Sequence, residues 1–273
     1  MNRPKRVLCL QDISCVGRCS LTVIIPALSA MGVQACPLPT ALLSAHTGGF
    51  GPVSLMDTTD LVQGALDHFD RLHLDFDAVF SGYLADARQA DLVLRAFARE
   101  EGALLICDPV MGDEGKVYVD EALKAAILQL VQKADVITPN PTESALLLGL
   151  PPEDTPFTAQ SAEERVRALA RFGPSVILTG AQVDGQRACV GLDRTGRQFF
   201  TVPCHYVPVR YPGTGDLFTA VLTGALLRGM ELEQACRTAA AFVEKGARLT
   251  YESGGVPREG IYLEPVLPDL LSI

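Results

Sequence analysis

The sequence predicts an α/β fold built on a central, mostly parallel sheet with antiparallel strands toward an edge. Three observations carry this. Short apolar runs alternate with stretches of helical periodicity, the mark of repeated crossover units. A late pair of runs, Arg187–Leu192 and Gln198–Val202, flanks a turn-like Asp193–Gly196 and reads as an antiparallel pair. The 273 residues contain no Ser/Gly-rich linker, low-complexity run or charge block, so one domain spanning 1–273 is expected.

The elements follow in order. Val7–Leu10 is the first strand candidate, too short an apolar run behind Lys5 and Arg6 to be a secretory signal. A helix over Ser20–Ala30 leads to a strand at Val33–Leu38, and a helix over Thr58–Leu72 to a strand at Ala78–Ser81. Helices at Ala85–Glu100 and Val119–Gln132 precede strands at Ala103–Cys107 and Val136–Thr138. Helices at Pro141–Leu148 and Ala162–Arg171 lead to Val176–Thr179, then the antiparallel pair, and helices near Gly215–Arg228 and Leu232–Arg248 close the chain. No segment is long enough to span a membrane.

Composition narrows the class. A hydrophobic content of 48% with 20% charged residues is ordinary for a cytoplasmic enzyme. The net charge of −9, with Lys and Arg dispersed, argues against nucleic acid as a partner. The eight cysteines include no Cys-x-x-Cys, and most are expected to be small, buried and reduced. Cys15 and Cys19 leave a redox-sensitive pair open beside that reading.

The run Tyr211-Pro-Gly-Thr-Gly-Asp216 is the strongest chemical signal. Gly213 and Gly215 allow positive φ and close backbone approach, so successive N–H groups can converge on an anion. Thr214 is placed to cap the apolar helix that follows, whose positive dipole end adds to the concavity. Asp216 beside such a nest would repel a phosphate unless it takes a proton from the group attacking that phosphate. The bland alternative is a favourable first-turn acid. Phe218 at the third glycine position sets the dinucleotide fingerprint aside, and no P-loop motif occurs.

Ligands of parallel sheets bind beyond the carboxyl ends of the strands. Gln11, Asp12, Gly82, Tyr83, Asp108, Thr138, Asn140, Thr179 and Gly180 all follow strand candidates and should converge along one edge. In Asp108–Asp113 the Pro and Gly impose a turn that holds one carboxylate inward and the second on a loop. Pro141 and Glu143 begin a helix, and Asp108 with Glu143 could share Mg²⁺ through water. The loop from Gly112 to Val119, with two glycines and little apolar content, is expected to be mobile without ligands.

Six ordered motifs together resemble one family over nearly the whole chain: Leu10-Gln-Asp12 with Gly17; Ser44-Ala-His-Thr-Gly48; Ser81-Gly-Tyr-Leu84; Cys107–Asp113; Ile137–Asn140 with Glu143; and Gly213–Asp216. The chain resembles the pyridoxal kinase family of the ribokinase-like superfamily, and within it proteins described as pyridoxamine kinases. The resemblance implies a three-layer α/β/α fold and ATP-dependent phosphorylation of the 5′-hydroxymethyl group of the B6 vitamers pyridoxal, pyridoxine or pyridoxamine, commonly by a homodimer. It implies Asp216 as general base and Gly213, Thr214, Gly215 and the Asp216 backbone as anion hole. Asp108 and Glu143 match positions that organise Mg²⁺ and phosphate; Asp113, Tyr118, Asn140 and Thr179 fall on the nucleotide side. A monovalent cation such as K⁺ is left open. Asp12, Thr47 and Tyr83 match vitamer-pocket positions with His46 beside them, where a histidine that only supports the turn is the competing reading.

The departure is Asp12, where better-described relatives carry Ser. A carboxylate there would favour a cationic vitamer; a turn-capping role is the alternative. A hydroxymethylpyrimidine or hydroxymethylpyrimidine phosphate kinase is the runner-up function. A sugar kinase lacks its early Gly-Gly segment here, and a non-catalytic vitamer-binding protein on the same fold is the alternative from another class.

Overall fold

Side-chain alternation along the strands decides how the layers stack. In β1 (Arg6–Ser14), Val7 and Cys9 enter one apolar core while Leu8 and Leu10 enter another on the opposite face. Both faces are therefore covered, as parallel strands require. The computed structural model describes residues 3–100, 102–152, 154–195, 198–205 and 207–273.

The strands after β1 are β2 (Gln34–Leu43), β3 (Leu55–Asp57), β4 (Ala78–Ser81), β5 (Leu104–Cys107), the short pair β6 (Gly112–Asp113) and β7 (Lys116–Val117), β8 (Val136–Ile137), β9 (Ser175–Val183), β10 (Gln186–Asp193) and β11 (Gln198–Pro203). The helices are α1 (Leu21–Ala30), α2 (Thr59–Arg71), α3 (Ala87–Arg99), α4 (Glu121–Val131), α5 (Pro141–Leu147), α6 (Ala159–Ala170), α7 (Thr214–Leu227) and α8 (Leu232–Glu252). One sheet runs β11-β10-β9-β8-β5-β4-β1-β2-β3. Its centre, from β9 through β2, is parallel; β10 and β11 at one edge and β3 at the other are antiparallel. Side chains of α1, α7 and α8 fill the first core, and those of α2 through α6 the second, which gives the three-layer α/β/α arrangement.

Local chemistry starts the helices where the sequence places them. Asp86 and Asp120 accept from backbone N–H groups at the starts of α3 and α4, and Thr158 and Asn140 form capping boxes at α6 and α5. The expected antiparallel pair is β10 with β11, although Gly196 of its turn lies outside the described residues.

Several boundaries move. β1 continues to Ser14, so Gln11 and Asp12 lie inside the strand instead of after it, and the β1–β2 register shifts between Gln11 and Ile13. Asp12 thus sits at a bulge, a feature that re-aims a side chain. Thr179 likewise lies within β9. Edge strand β3 was not anticipated, because three exposed residues carry no periodic signal. The segment expected to be a weakly held loop is a hairpin of β6 and β7, turned by Glu114 and Gly115 at positive φ. Among the described residues no helix is long and apolar enough to cross a membrane.

Candidate active site

The site forms where the ends of β5 and β8, the middle of β9 and the loop after β1 meet the start of α7. Gly213 has φ 79° and precedes the first helical residue, and a side chain there would overlap the Arg18 carbonyl oxygen. Only glycine meets both demands. The first intrahelical bond runs from the Leu217 N–H to the Gly213 carbonyl, so the N–H groups of Thr214, Gly215 and Asp216 precede the ladder and can face an anion. Thr214 is not the cap expected of it: Gly213 holds that position, and the Thr214 hydroxyl donates back to the Tyr211 carbonyl at 3.1 Å.

Asp216 is half-buried, and its Oδ2 accepts from the main-chain N–H of Ser20 at 2.8 Å. Removal from water raises its carboxyl to about 6, with the Ser20 N–H pulling down and the Asp12 charge pushing up. That value suits a proton acceptor near neutral pH.

A cavity of about 560 Å³ opens beside this turn. Asp108, Asp113, Tyr118, Asn140, Glu143, Thr179 and Gly213–Asp216 all line it, so one hollow gathers the residues predicted for catalysis and for the nucleotide. Glu143 Oε2 accepts from the Asn140 N–H at 2.9 Å and Oε1 from the Met111 N–H at 3.2 Å. Asn140 Oδ1 completes the capping box at 2.9 Å, and its Nδ2 donates to the Gly112 carbonyl at 2.8 Å, pinning the hairpin. Asp108 and Glu143 are both buried and both held well above the carboxylate range, first by burial and then by neighbouring negative charge: Asp216 for Asp108, and Asp108 for Glu143. Two oxygen-donor carboxylates pressed together in this way suit a hard divalent cation, which would restore their ionised forms. Among the described residues no group of three or more metal-ligating side chains stands together.

Arg210 was not anticipated. It pairs with Glu114 at 3.0 Å, Asp154 at 3.3 Å and Asp113 at 3.6 Å at the cavity wall. A lone cation two residues before Pro212 and the glycine turn was the available signal. With the Gly115 N–H donating to Thr142 Oγ1, these pairs tie down the β6–β7 hairpin more firmly than its composition suggested.

Asp12, His46, Thr47 and Tyr83 stand outside this cavity. Asp12 is 6% exposed and accepts from Ser20 Oγ at 2.5 Å and Ser14 Oγ at 3.4 Å. The Tyr83 phenol is raised by burial and by the Asp12 charge, which sets the two in one environment. His46 Nδ1 accepts from the Gly48 N–H at 3.0 Å, and Nε2 lies 2.5 Å from the Arg258 carbonyl, so both ring nitrogens are engaged by main chain. Thr47 is exposed in the loop between β2 and β3. The eight cysteines are free; Cys19 is buried, and burial with the Asp216 and Asp12 charges pushes its thiol up to about 12. A thiol so protonated is a poor partner for the exposed Cys15 in redox chemistry.

Comparison with known proteins gives this geometry a context. Residues 25–258 match the family model described as phosphomethylpyrimidine kinase. The pyridoxal kinase of Arabidopsis thaliana is 30% identical, over 80% of this chain and 73% of its own. A structure from Bacteroides thetaiotaomicron, described as a candidate phosphomethylpyrimidine kinase and solved with pyridoxal, is 40% identical with a TM-score of 0.92, covering 98% of this chain and 96% of that one. The pyridoxal kinase of Lactobacillus plantarum is 32% identical with a TM-score of 0.91, covering 98% and 97%.

Proposed function

The chain belongs to the pyridoxal kinase family of the ribokinase-like superfamily, and from that premise we propose that it transfers the γ-phosphoryl group of ATP to the 5′-hydroxymethyl group of B6 vitamers. The observation that carries the reading is Asp216, a carboxylate raised to about 6 at the mouth of a helix whose cap and first residues, Gly213–Asp216, line the cavity.

The chemistry follows from placement. Asp216 accepts the hydroxyl proton as the hydroxyl oxygen attacks phosphorus in line, and no phosphoenzyme is needed. The N–H groups of Thr214, Gly215 and Asp216 hold the transferring group's oxygens, where they act without reorganising. Asp108 and Glu143 hold Mg²⁺, which supplies neutralising charge on the phosphates when bound. Asn140 and Thr179 line the cavity on the side assigned to the nucleotide, Asn140 acting there through the hairpin and cap it holds, and Tyr118, exposed at the end of the hairpin, also lines it. A homodimer is part of the proposal, supported by exposed Leu55 and Met56 on edge strand β3 and Leu61 on α2. A cytoplasmic setting and a K⁺ requirement rest on the family alone.

The family model's description keeps phosphomethylpyrimidine, and with it the parent hydroxymethylpyrimidine, as a second acceptor to weigh. A coupled assay of ADP release with pyridoxal, pyridoxine, pyridoxamine and hydroxymethylpyrimidine tests the assignment. Turnover of at least one B6 vitamer above hydroxymethylpyrimidine is expected. The reverse order would transfer the reading to pyrimidine phosphorylation, and silence with all four and with phosphomethylpyrimidine would leave a binding protein.

A further inference from the structure

Ser20 has a backbone conformation that a non-glycine residue rarely adopts, φ 48° and ψ −133°. Such a conformation persists only where its surroundings over-determine it. They do so here. The Arg18 N–H donates to the Glu259 carbonyl at 3.0 Å, and the Arg18 guanidinium pairs with Glu264 and lies 5.3 Å from the centre of the Tyr262 ring. Gly17 lies against the His46 ring, where a Cβ would overlap it, and Gly213 lies against Arg18 and Cys19 in the same way. The loop between β1 and α1 is thus clamped between the His46 turn, the C-terminal segment and the catalytic turn.

What this conformation achieves is a bridge. With φ positive, the Ser20 N–H points at Asp216 Oδ2, 2.8 Å away, while its hydroxyl points at Asp12 Oδ1, 2.5 Å away. One residue thereby joins the carboxylate read as the base to the buried carboxylate at the β1 bulge. Asp12 has its other oxygen 3.4 Å from Ser14 Oγ and almost no exposure, so it is better placed to hold Ser20 than to meet a ligand.

We infer that Ser20 is a positioning residue for phosphoryl transfer: its main-chain N–H aims the Asp216 carboxylate, and Asp12 fixes Ser20 through its hydroxyl. The inference rests on the reading of Asp216 as the base. It gives Asp12 an indirect role that applies to every alcohol substrate alike, instead of a role in choosing among them. The strained backbone is the cost of presenting N–H and O–H to two carboxylates at once.

Ser20→Gly separates this from a structural role. Glycine adopts the observed φ without strain and keeps the N–H, but removes the hydroxyl that orients it. The wild-type chain is first assayed for ADP release with the three vitamers; failure there sinks the reading as a B6 vitamer kinase and not merely this inference. Given wild-type turnover, Ser20→Gly is expected to lower kcat about tenfold or more with all three vitamers, since small misplacements of a reacting group are costly. KM for ATP should stay within about twofold and Tm should not fall. Asp12→Ala should give a similar kcat loss, and the double variant should be no worse than the poorer single, because both act on one bridge. Unchanged kcat in Ser20→Gly, losses that multiply in the double variant, or a kcat loss found only together with a lower Tm and a higher KM for ATP would each overturn the inference.

Discussion

The two sides of Asp216 are built on opposite plans. On the Asp12 side, most polar groups are already bonded within the protein: Asp12 to Ser20 and Ser14, His46 to Gly48 and Arg258, Gln11 Oε1 to the Tyr83 N–H, with Gln11 Nε2 and Ser81 Oγ buried there without a partner among the described residues. On the Asp108 side, a cavity of about 560 Å³ is lined by carboxylates that raise one another, with Arg210 held among Asp113, Glu114 and Asp154. The first side is pre-organised by hydrogen bonds. The second gathers like charges around an open cavity, an arrangement that the proposed phosphate and cation would balance.

The largest effect should come where the two plans meet. Asp216→Asn is expected to lower kcat by about a hundredfold or more with ATP binding little changed, as general-base catalysis contributes ~10² to 10⁴. With Asp216 intact, kcat/KM should fall as pH drops below about 6, where the carboxyl takes up its proton. Folding also binds that proton between the ordinary carboxylate range and about 6, so this group favours the folded chain on the acid side and loses that contribution as pH rises through about 6. Near-normal turnover of the variant, or a flat profile between pH 5 and 7, would break the assignment.

Glu143→Gln probes the incomplete side. Both Glu143 oxygens accept an N–H, so an amide must turn its NH₂ toward one of those donors. We expect stability to fall by an amount on the order of 1 kcal/mol for a lost cap bond, seen as a lower Tm, and the Mg²⁺ concentration for half-maximal activity to rise about tenfold. A lowered Tm with an unmoved Mg²⁺ titration would leave Glu143 as a helix cap alone.

The glycine turn offers a finer cut, because its two glycines serve different needs. An alanine at Gly213 would have positive φ and overlap Arg18, which should cost about 2–4 kcal/mol of stability. At Gly215 the nearest atom to a new Cβ is Asp108 Oδ2, 4.0 Å away, and the position is helical. Gly215→Ala should therefore hold or raise Tm while lowering kcat, by crowding the anion site. Thermal melts of both variants beside their kinetics would decide whether the turn divides in this way.

This contrast also explains what the sequence made legible. The turn at Gly213–Asp216 and the Asn140–Glu143 capping box are signalled within a few residues, because glycine, proline and cap chemistry act locally. The alternation that layers the sheet is local as well. Ser20 escaped notice because its role joins positions 12, 20 and 216, and nothing in Cys-Ser-Leu announces a positive φ. The β6–β7 segment reads as a loop from sequence because composition does not record its strand pairing, the bonds from Asn140 and to Thr142, or the Arg210 pairs.

The smallest effect should fall on vitamer choice. From sequence, a carboxylate at position 12 would favour a protonated vitamer, and Asp12→Ser would then lower the kcat/KM ratio for pyridoxamine over pyridoxal. In the fold, Asp12 is 6% exposed with its oxygens toward two serine hydroxyls, and burial pushes its carboxyl up from the usual range. A charge so enclosed reaches a ligand weakly, through Tyr83 or across Ser20. Asp12→Ser is therefore expected to lower kcat for all vitamers together while the ratio changes by less than about threefold, under ~0.7 kcal/mol. A shift of about tenfold or more against pyridoxamine would return Asp12 to the ligand's own surface, and the comparison between a closed side and an open side would have to be redrawn.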